Sequence, residues 1–291
     1  MANGVTDNPG SNTPSPELTQ EQVAKVLVQP LEAKSQFLAA GPRIFDSAGP
    51  LRVPMGAASI AGSLEFTGEN EQIPEADVDF DEVSLLPSTM ESVKVITRYS
   101  NELARQSVVS LDQAIKDRLV ADVAAKIDTQ LFSATGDGVT TPQGMFAWEG
   151  TTQVEADAAF SLDSFLDAWG AALGANVEMS RLKWFVRPAD FVGLRKIKDT
   201  QGRYLLTPDP TADGVFRVWG SQVVITNRIP EGKAALADMS QIAVARDVAP
   251  SVKILTERYA DFDQQAIRVV TRLDAKPLNP EAVVILNTAA A

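Results

Sequence analysis

The chain has 291 residues, 45% of them apolar, with no cysteine, no histidine and a formal net charge of −12. That length and apolar content suit two packed lobes or one elaborated domain and argue against wholesale disorder. The missing thiols and imidazoles exclude disulfides, Ser-His-Asp and Cys-His catalysis, zinc fingers and HExxH metalloproteases, and the acidity argues against a broad basic nucleic-acid surface.

In chain order, residues 1–16 are rich in Asn, Gly, Ser, Thr and Pro and read as a flexible arm. A helical pattern over Thr19–Lys34 is interrupted at Pro30, and the glycines and prolines of 40–57 predict an extended, irregular segment. Residues 58–82 carry Glu65, Glu69, Glu71, Glu75, Asp77, Asp79, Asp81 and Glu82 with no Lys or Arg and few large apolar groups. Such a stretch cannot build a core, which predicts a projecting loop or hairpin. Val83–Tyr99 reads as strand, with Val93, Val95, Thr97 and Tyr99 on one face.

The clearest helix spans 111–132, with Ser110 as its cap and Leu111, Ile115, Leu119, Val123, Ile127 and Leu131 recurring every four residues. It should be about 33 Å long and end at Gly136 and Gly138. A second helix at 161–174 is expected to turn Phe165, Leu166, Trp169 and Leu173 inward. A strand at Leu182–Val186 and a short helix opened by Pro188 follow, then strands at 221–227, 251–257, 264–273 and 282–287. Long helix, hairpins and strands without a βαβ rhythm indicate an α+β fold, and no internal repeat is seen.

No run of about 18 apolar residues predicts a membrane span, and the first ten residues lack the pattern of a secretory signal. The segment Gly136–Gly144 lacks the Gly-Lys-Ser/Thr ending of a phosphate loop and follows a helix where a phosphate loop precedes one, so it reads as a helix stop and turn. Asp77–Asp81 starts like an EF-hand, but Glu82 and Ser88 stand where Gly and Glu are required. Trp148, Trp169, Trp184 and Trp219 are expected to fill cores. Arg181, Lys183, Arg187, Arg195, Lys196, Lys198 and Arg203 cluster in sequence, either as a solvated face or as a surface that receives acids from a neighbouring subunit. No catalytic residue, metal site or cofactor is predicted.

From about residue 62 to 287 the chain resembles the major capsid proteins of tailed phages with the Hong Kong 97-type fold. The resemblance rests on an ordered series. Asp79-Phe80-Asp81-Glu82-Val83 closes the acidic stretch, Ser100-Asn101-Glu102-Leu103 follows, and the long helix ends at Gly136-Asp137-Gly138 and Pro142-Gln143-Gly144. Arg187-Pro188-Ala189-Asp190, Lys198-Asp199, Gly202-Arg203-Tyr204-Leu205, Trp219-Gly220-Ser221-Gln222-Val223-Val224, Ile229-Pro230 and Arg272 to Pro280 come next.

The resemblance implies an N-arm at 1–57, an E-loop at 58–92, a P-domain at 93–157 and 247–271 with a long spine helix and a β-sheet, and an A-domain at 158–246 and 272–291. It implies a non-enzymatic subunit that self-assembles into hexamers and pentamers of an icosahedral head in the virion, built in the host bacterial cytoplasm around DNA bound without sequence specificity. The long N-terminal scaffolding extension of some members is not seen here, so the resemblance implies assembly with a separate scaffolding protein or none; portal and cement or decoration proteins are further expected partners. The acidic series 65–82 and the basic series 181–203 are the expected intersubunit contacts. Some members weld neighbours through lysine–asparagine isopeptide bonds assisted by a glutamate. The matching positions here hold Glu82, Asp263 and Val270, so no such cross-linking is expected. An encapsulin-like nanocompartment is the alternative within the same fold, and a carboxylate-based hydrolase the distant one.

Overall fold

The computed structural model describes residues 31, 34–55, 67, 82–102, 111–157, 159–175, 177–206, 216–247, 251–255 and 257–288. The helix expected at 19–34, the Ser110 cap and seven of the eight acids of 65–82 lie outside or almost outside these residues. The described elements are α1 (Gln36–Ala39), β1 (Arg43–Ser47), β2 (Leu51–Pro54), β3 (Glu82–Leu85), β4 (Val93–Ser100), α2 (Leu111–Leu131), β5 (Thr152–Ala156), α3 (Leu162–Gly174), β6 (Leu182–Val186) and α4 (Pro188–Arg195). They continue as β7 (Arg217–Val218), β8 (Ser221–Ile225), β9 (Lys233–Asp238), β10 (Ile242–Asp247), β11 (Ser251–Leu255), β12 (Gln264–Thr271), β13 (Leu273–Pro277) and β14 (Val283–Thr288). The α+β class expected from the sequence is the class observed.

A six-stranded mixed sheet, ordered β5-β14-β9-β6-β8-β7, is buried on both faces. Leu182, Trp184, Val186, Leu236, Val284 and Leu286 pack under α3 and α4, while Phe185, Ala235, Ala237, Val283 and Ile285 pack towards α2. Burial on both faces is why β9 and β14 read as nearly continuous apolar runs. β9 escaped the sequence reading because Ala234, Ala235 and Ala237 are not strand-forming residues; the sheet there is dictated by tertiary packing.

In α3, the Ser161 hydroxyl caps the helix by accepting from the Ser164 amide at 3.1 Å, and the Ser164 hydroxyl in turn accepts from the Ser161 amide at 3.0 Å. Its inner face is Phe165, Ala168 and Ala172, while Leu166 and Leu173 are exposed, a rotation of the stripe from the expected one. The two alanines let the helix approach the sheet closely, and the larger Phe165 stacks on Trp184 with ring centroids 4.4 Å apart.

A second sheet, β11-β12-β4, is antiparallel and lies over α2. α2 buries Leu119, Val120, Val123, Ala124, Ile127 and Leu131, the predicted stripe over its described side chains. The inner face of the sheet supplies Val95, Tyr99, Ile254, Ile267 and Val269.

The third sheet, β1-β10-β13, includes a surprise. Residues 43–47, expected to be irregular, form β1, parallel to β10, with Asp46 and Arg246 paired in register and ion-paired at 2.7 Å. The four residues 51–54 form β2 against β3. Gly and Pro punctuate these strands without preventing them, because Gly41, Gly49 and Pro50 fall between the elements. Val83–Tyr99 is correspondingly two strands in different sheets, with a turn at 86–92 between them. The strand expected at 264–273 breaks at Arg272 into β12 and β13.

The N-terminal segment is tied to α2 by one carboxylate. Asp128, 4% exposed, accepts from the Ser35 hydroxyl at 2.5 Å and from the amides of Gln36 and Phe37 at 2.9 and 3.3 Å. It thereby satisfies the first amides of α1 and seats Phe37 edge-on against Phe132.

Candidate functional site

The acidic stretch emerges from the β2–β3 ribbon, where Pro54 faces Glu82. Glu82 is the one acid of the series among the described residues, and its carboxylate pairs with Arg52 across the ribbon at 3.0 Å. Both side chains are exposed, so this pair contributes at most about 1 kcal/mol. Below it, Val53, Val83 and Leu51 pack with Leu85, Leu86, Phe45, Ala243, Ala245 and Leu278. The root of the stretch is therefore part of the β1-β10-β13 body.

Members of the basic series make separate contacts within the chain. Arg181 pairs with Glu178 at 2.8 Å, Arg187 pairs with Glu231 at 3.0 Å, and Lys183 donates to the Ala40 carbonyl at 2.7 Å, bracing the N-terminal segment against β6. Arg195 lies over the rings of Phe216 and Phe191, 5.3 and 6.0 Å from their centroids. Lys198 lies over Tyr204 at 4.8 Å, within a turn closed by the Asp199 carboxylate, which accepts from the Gln201 and Arg203 amides at 2.8 Å each. Lys196 follows directly at the C-cap of α4 and is exposed. Tyr204 and Leu205, at this tip, are about half exposed. Asp190 sits beside Arg187 and Glu231, and burial pushes its carboxyl above the usual carboxylate range.

A different surface gathers cations where the sequence reading saw only alternation. On the outer face of β11-β12-β4 stand Lys94, Ile96 and Arg98 of β4, Arg268 and Val270 of β12, and Lys253 of β11. The register sets Ile96 opposite Arg268 and Arg268 opposite Lys253, so two like charges are cross-strand neighbours. Such a pair is destabilising within one chain. No acid stands on this face among the described side chains, and Ile96 is 43% exposed at its centre. The Arg268 Nε is buried without a hydrogen-bond partner among the described residues. The signal was present as the alternation Lys94, Ile96, Arg98, but recognising a cationic face needs the strand register.

The turn after α2 confirms the helix-stop reading and disposes of the phosphate-loop alternative. The Asp137 carboxylate accepts from the amides of Val139, Thr140 and Thr141 at 3.1, 2.9 and 2.8 Å. The bond from the Thr140 hydroxyl, together with these, holds its carboxyl well below the usual range. The amides an external anion would use are occupied by the chain's own acid. Gly136 has φ +115°, and a Cβ on Gly144 would stand 2.1 Å from the Ser133 carbonyl oxygen, so both glycines are required by the turn. Of the four tryptophans, Trp184 and Trp148 are buried and Trp169 is partly buried, whereas Trp219 is 45% exposed at the β7–β8 turn, against expectation. Among the described residues no three acids gather as a metal site, and no helix is long and apolar enough to cross a membrane.

The model of the phage capsid family matches residues 17–288. The chain belongs to the phage capsid family. The major capsid protein of Klebsiella oxytoca phage phiKO2 is 26% identical over 264 residues, 81% of this chain and 59% of that protein. The major capsid protein of Halomonas phage phiHAP-1 is 22% identical over 76% of this chain and 35% of that protein. The chain thus spans 59% and 35% of the length of these two curated relatives, under two thirds of each. Among solved structures it is similar to the capsid of the native GTA particle, with a TM-score of 0.69 at 18% identity over 88% of this chain and 91% of that one. Gordonia phage Cozz gives 0.65 at 14% identity over 88% and 87%, and the virus-like particle from Pyrococcus furiosus gives 0.60 at 14% over 92% and 98%. The fold is therefore the Hong Kong 97-type capsid fold, as the sequence motifs implied.

Proposed function

We propose that this capsid-family chain is a major capsid protein that assembles copies of itself into a closed icosahedral shell around phage DNA. The unit of α2 with β11-β12-β4 would be the peripheral domain and the six-stranded sheet with α3 and α4 the axial domain, with Tyr204 and Leu205 presented towards other copies. The observation that carries the reading is complementarity within one sequence. A segment with eight acids and no base cannot bury itself, and one sheet face sets Lys94, Arg98, Lys253 and Arg268 side by side with no acid among its described residues. In a heterologous contact the segment of one copy covers the face of the next, and such contacts close into rings. This complementarity supports the sheet as an acceptor beside the 181–203 series expected from the sequence.

The shell would be non-covalent and would carry out no catalysis. At the cross-linking positions Glu82 pairs with Arg52, Asp263 accepts from the Asn101 amide side chain at 2.7 Å, and Val270 offers no acid. Portal, scaffolding and decoration partners, and assembly in the bacterial cytoplasm, belong to the same proposal. Electron microscopy of the purified chain tests it. Closed shells or capsomer rings are expected, running as unlinked monomers on denaturing gels. A stable monomer at high concentration would overturn the shell reading, and a covalent ladder would overturn the non-covalent one.

A further inference from the structure

The root of the β2–β3 ribbon is held by an unusual pair of residues. Directly after β3, Leu86 adopts φ +55°, the left-handed region that is strained for a side-chain-bearing residue, and it does so fully buried. Its amide points at Asp274 of β13, whose Oδ2 accepts from it at 3.0 Å while Oδ1 accepts from the Ala275 amide at 2.9 Å. Asp274 is itself fully buried. Two residues along β13, the Lys276 ammonium donates to the Ser84 carbonyl at 2.9 Å, a second tether from the same strand to β3. A buried carboxylate and a left-handed leucine are each unfavourable alone, and here each satisfies or fixes the other. Leu51, Val53 and Val83 of the ribbon and Phe45 of β1 pack against the cluster that holds Leu85 and Leu86. A flexible connection would need none of this.

We infer that Asp274 is a positioning residue for assembly: through Leu86 it sets the angle at which the β2–β3 ribbon leaves the body, and so the direction in which each subunit presents the segment that follows Pro54. The inference rests on the shell reading for its consequence, but the clamp itself is a property of the single subunit. In the unassembled subunit, Asp274→Asn replaces one of the two acceptor oxygens by a donor. One amide, that of Leu86 or Ala275, loses its partner while the side-chain shape is kept.

The test uses the full chain in two measurements. Hydrogen exchange of the unassembled Asp274→Asn subunit should be about tenfold faster at Leu86 and across 82–85, with the amides of β6, β9 and β14 unchanged. Under assembly conditions the same variant should give particles of mixed size or open sheets, against uniform shells from the parent. Lys276→Met, which removes only the outer tether, should give a weaker form of both effects and serves where Asp274→Asn folds poorly. Unchanged exchange at 82–86 and at Ala275 in Asp274→Asn would refute the clamp, as would, where that variant does not fold, unchanged exchange at 82–86 in Lys276→Met. Faster exchange with uniform, parent-like shells would refute its role in assembly. A parent chain that forms no shells would instead overturn the shell reading, leaving the exchange result to decide the clamp.

Discussion

The two large sheets of this subunit are built to different ends. The six-stranded sheet hides both faces, with Trp184, Leu236 and Val284 on one side and Phe185, Ala235 and Ile285 on the other. The three-stranded sheet hides only the face against α2, and its other face shows Lys94, Ile96, Arg98 and Arg268 to the outside. The first sheet completes itself within the chain. The second leaves Ile96 43% exposed on its outer face, and on the proposed shell reading an acidic segment from a neighbouring copy would offset the like-charge neighbours there.

The comparison can be broken at several points. Trp184→Ala should have the largest effect on the subunit, about 3–5 kcal/mol lost in denaturant unfolding, because its indole is fully buried between α3 and the sheet. Asp128→Ala should cost about 2–4 kcal/mol, since it strands the Ser35 hydroxyl and two amides of α1 in the interior. Gly144→Ala should cost about 1–3 kcal/mol by driving the 136–144 turn off the Ser133 carbonyl. On the open sheet, Lys94→Glu with Arg98→Glu should change subunit stability by less than about 1 kcal/mol, yet abolish or strongly reduce assembly seen by light scattering. If that pair of changes unfolded the subunit instead, the open face would be part of the core and the contrast between the sheets would be lost.

Acidity gives a further handle. Burial raises the carboxyls of Asp128 and Asp274 above their ordinary 3.8, so the folded chain holds these protons more tightly than the unfolded one. Their contribution makes unfolding free energy fall as pH rises from about 4 through the raised values, and Asp128→Asn should flatten that part of the profile. Asp137 acts in the opposite sense: its turn keeps its carboxylate bonds at every pH above the ordinary carboxylate range.

Much of this architecture could be read without coordinates. The four-residue period from Leu119 to Leu131 marks α2 because one helix face meets two sheets, and Pro188 marks α4 because proline suits a first helical turn. The family motifs gave the fold class, since they are spread in order along most of the chain. Other features depend on partners distant in sequence. The strand β1 exists because β10, about two hundred residues later, offers it a parallel edge. The stripe of α3 turned because Ala168 and Ala172, not Leu166 and Leu173, allow close approach to β14. Within the basic series Lys183 meets Ala40, Arg187 meets Glu231 and Arg195 lies over two rings, contacts that depend on partners distant in sequence. The cations of β4, β11 and β12 are brought side by side only by the strand register.

A charge swap between two populations of subunits tests the docking of acid on sheet most directly. One variant carries Glu69→Lys, Glu71→Lys and Glu75→Lys, and the other carries Lys94→Glu, Arg98→Glu and Arg268→Glu. Each alone should fold and fail to assemble, and a subunit carrying both sets should recover closed shells in the electron microscope. Shells from both single variants at the parent yield would contradict the account, as would failure of the combined variant to recover any assembly while it remains folded.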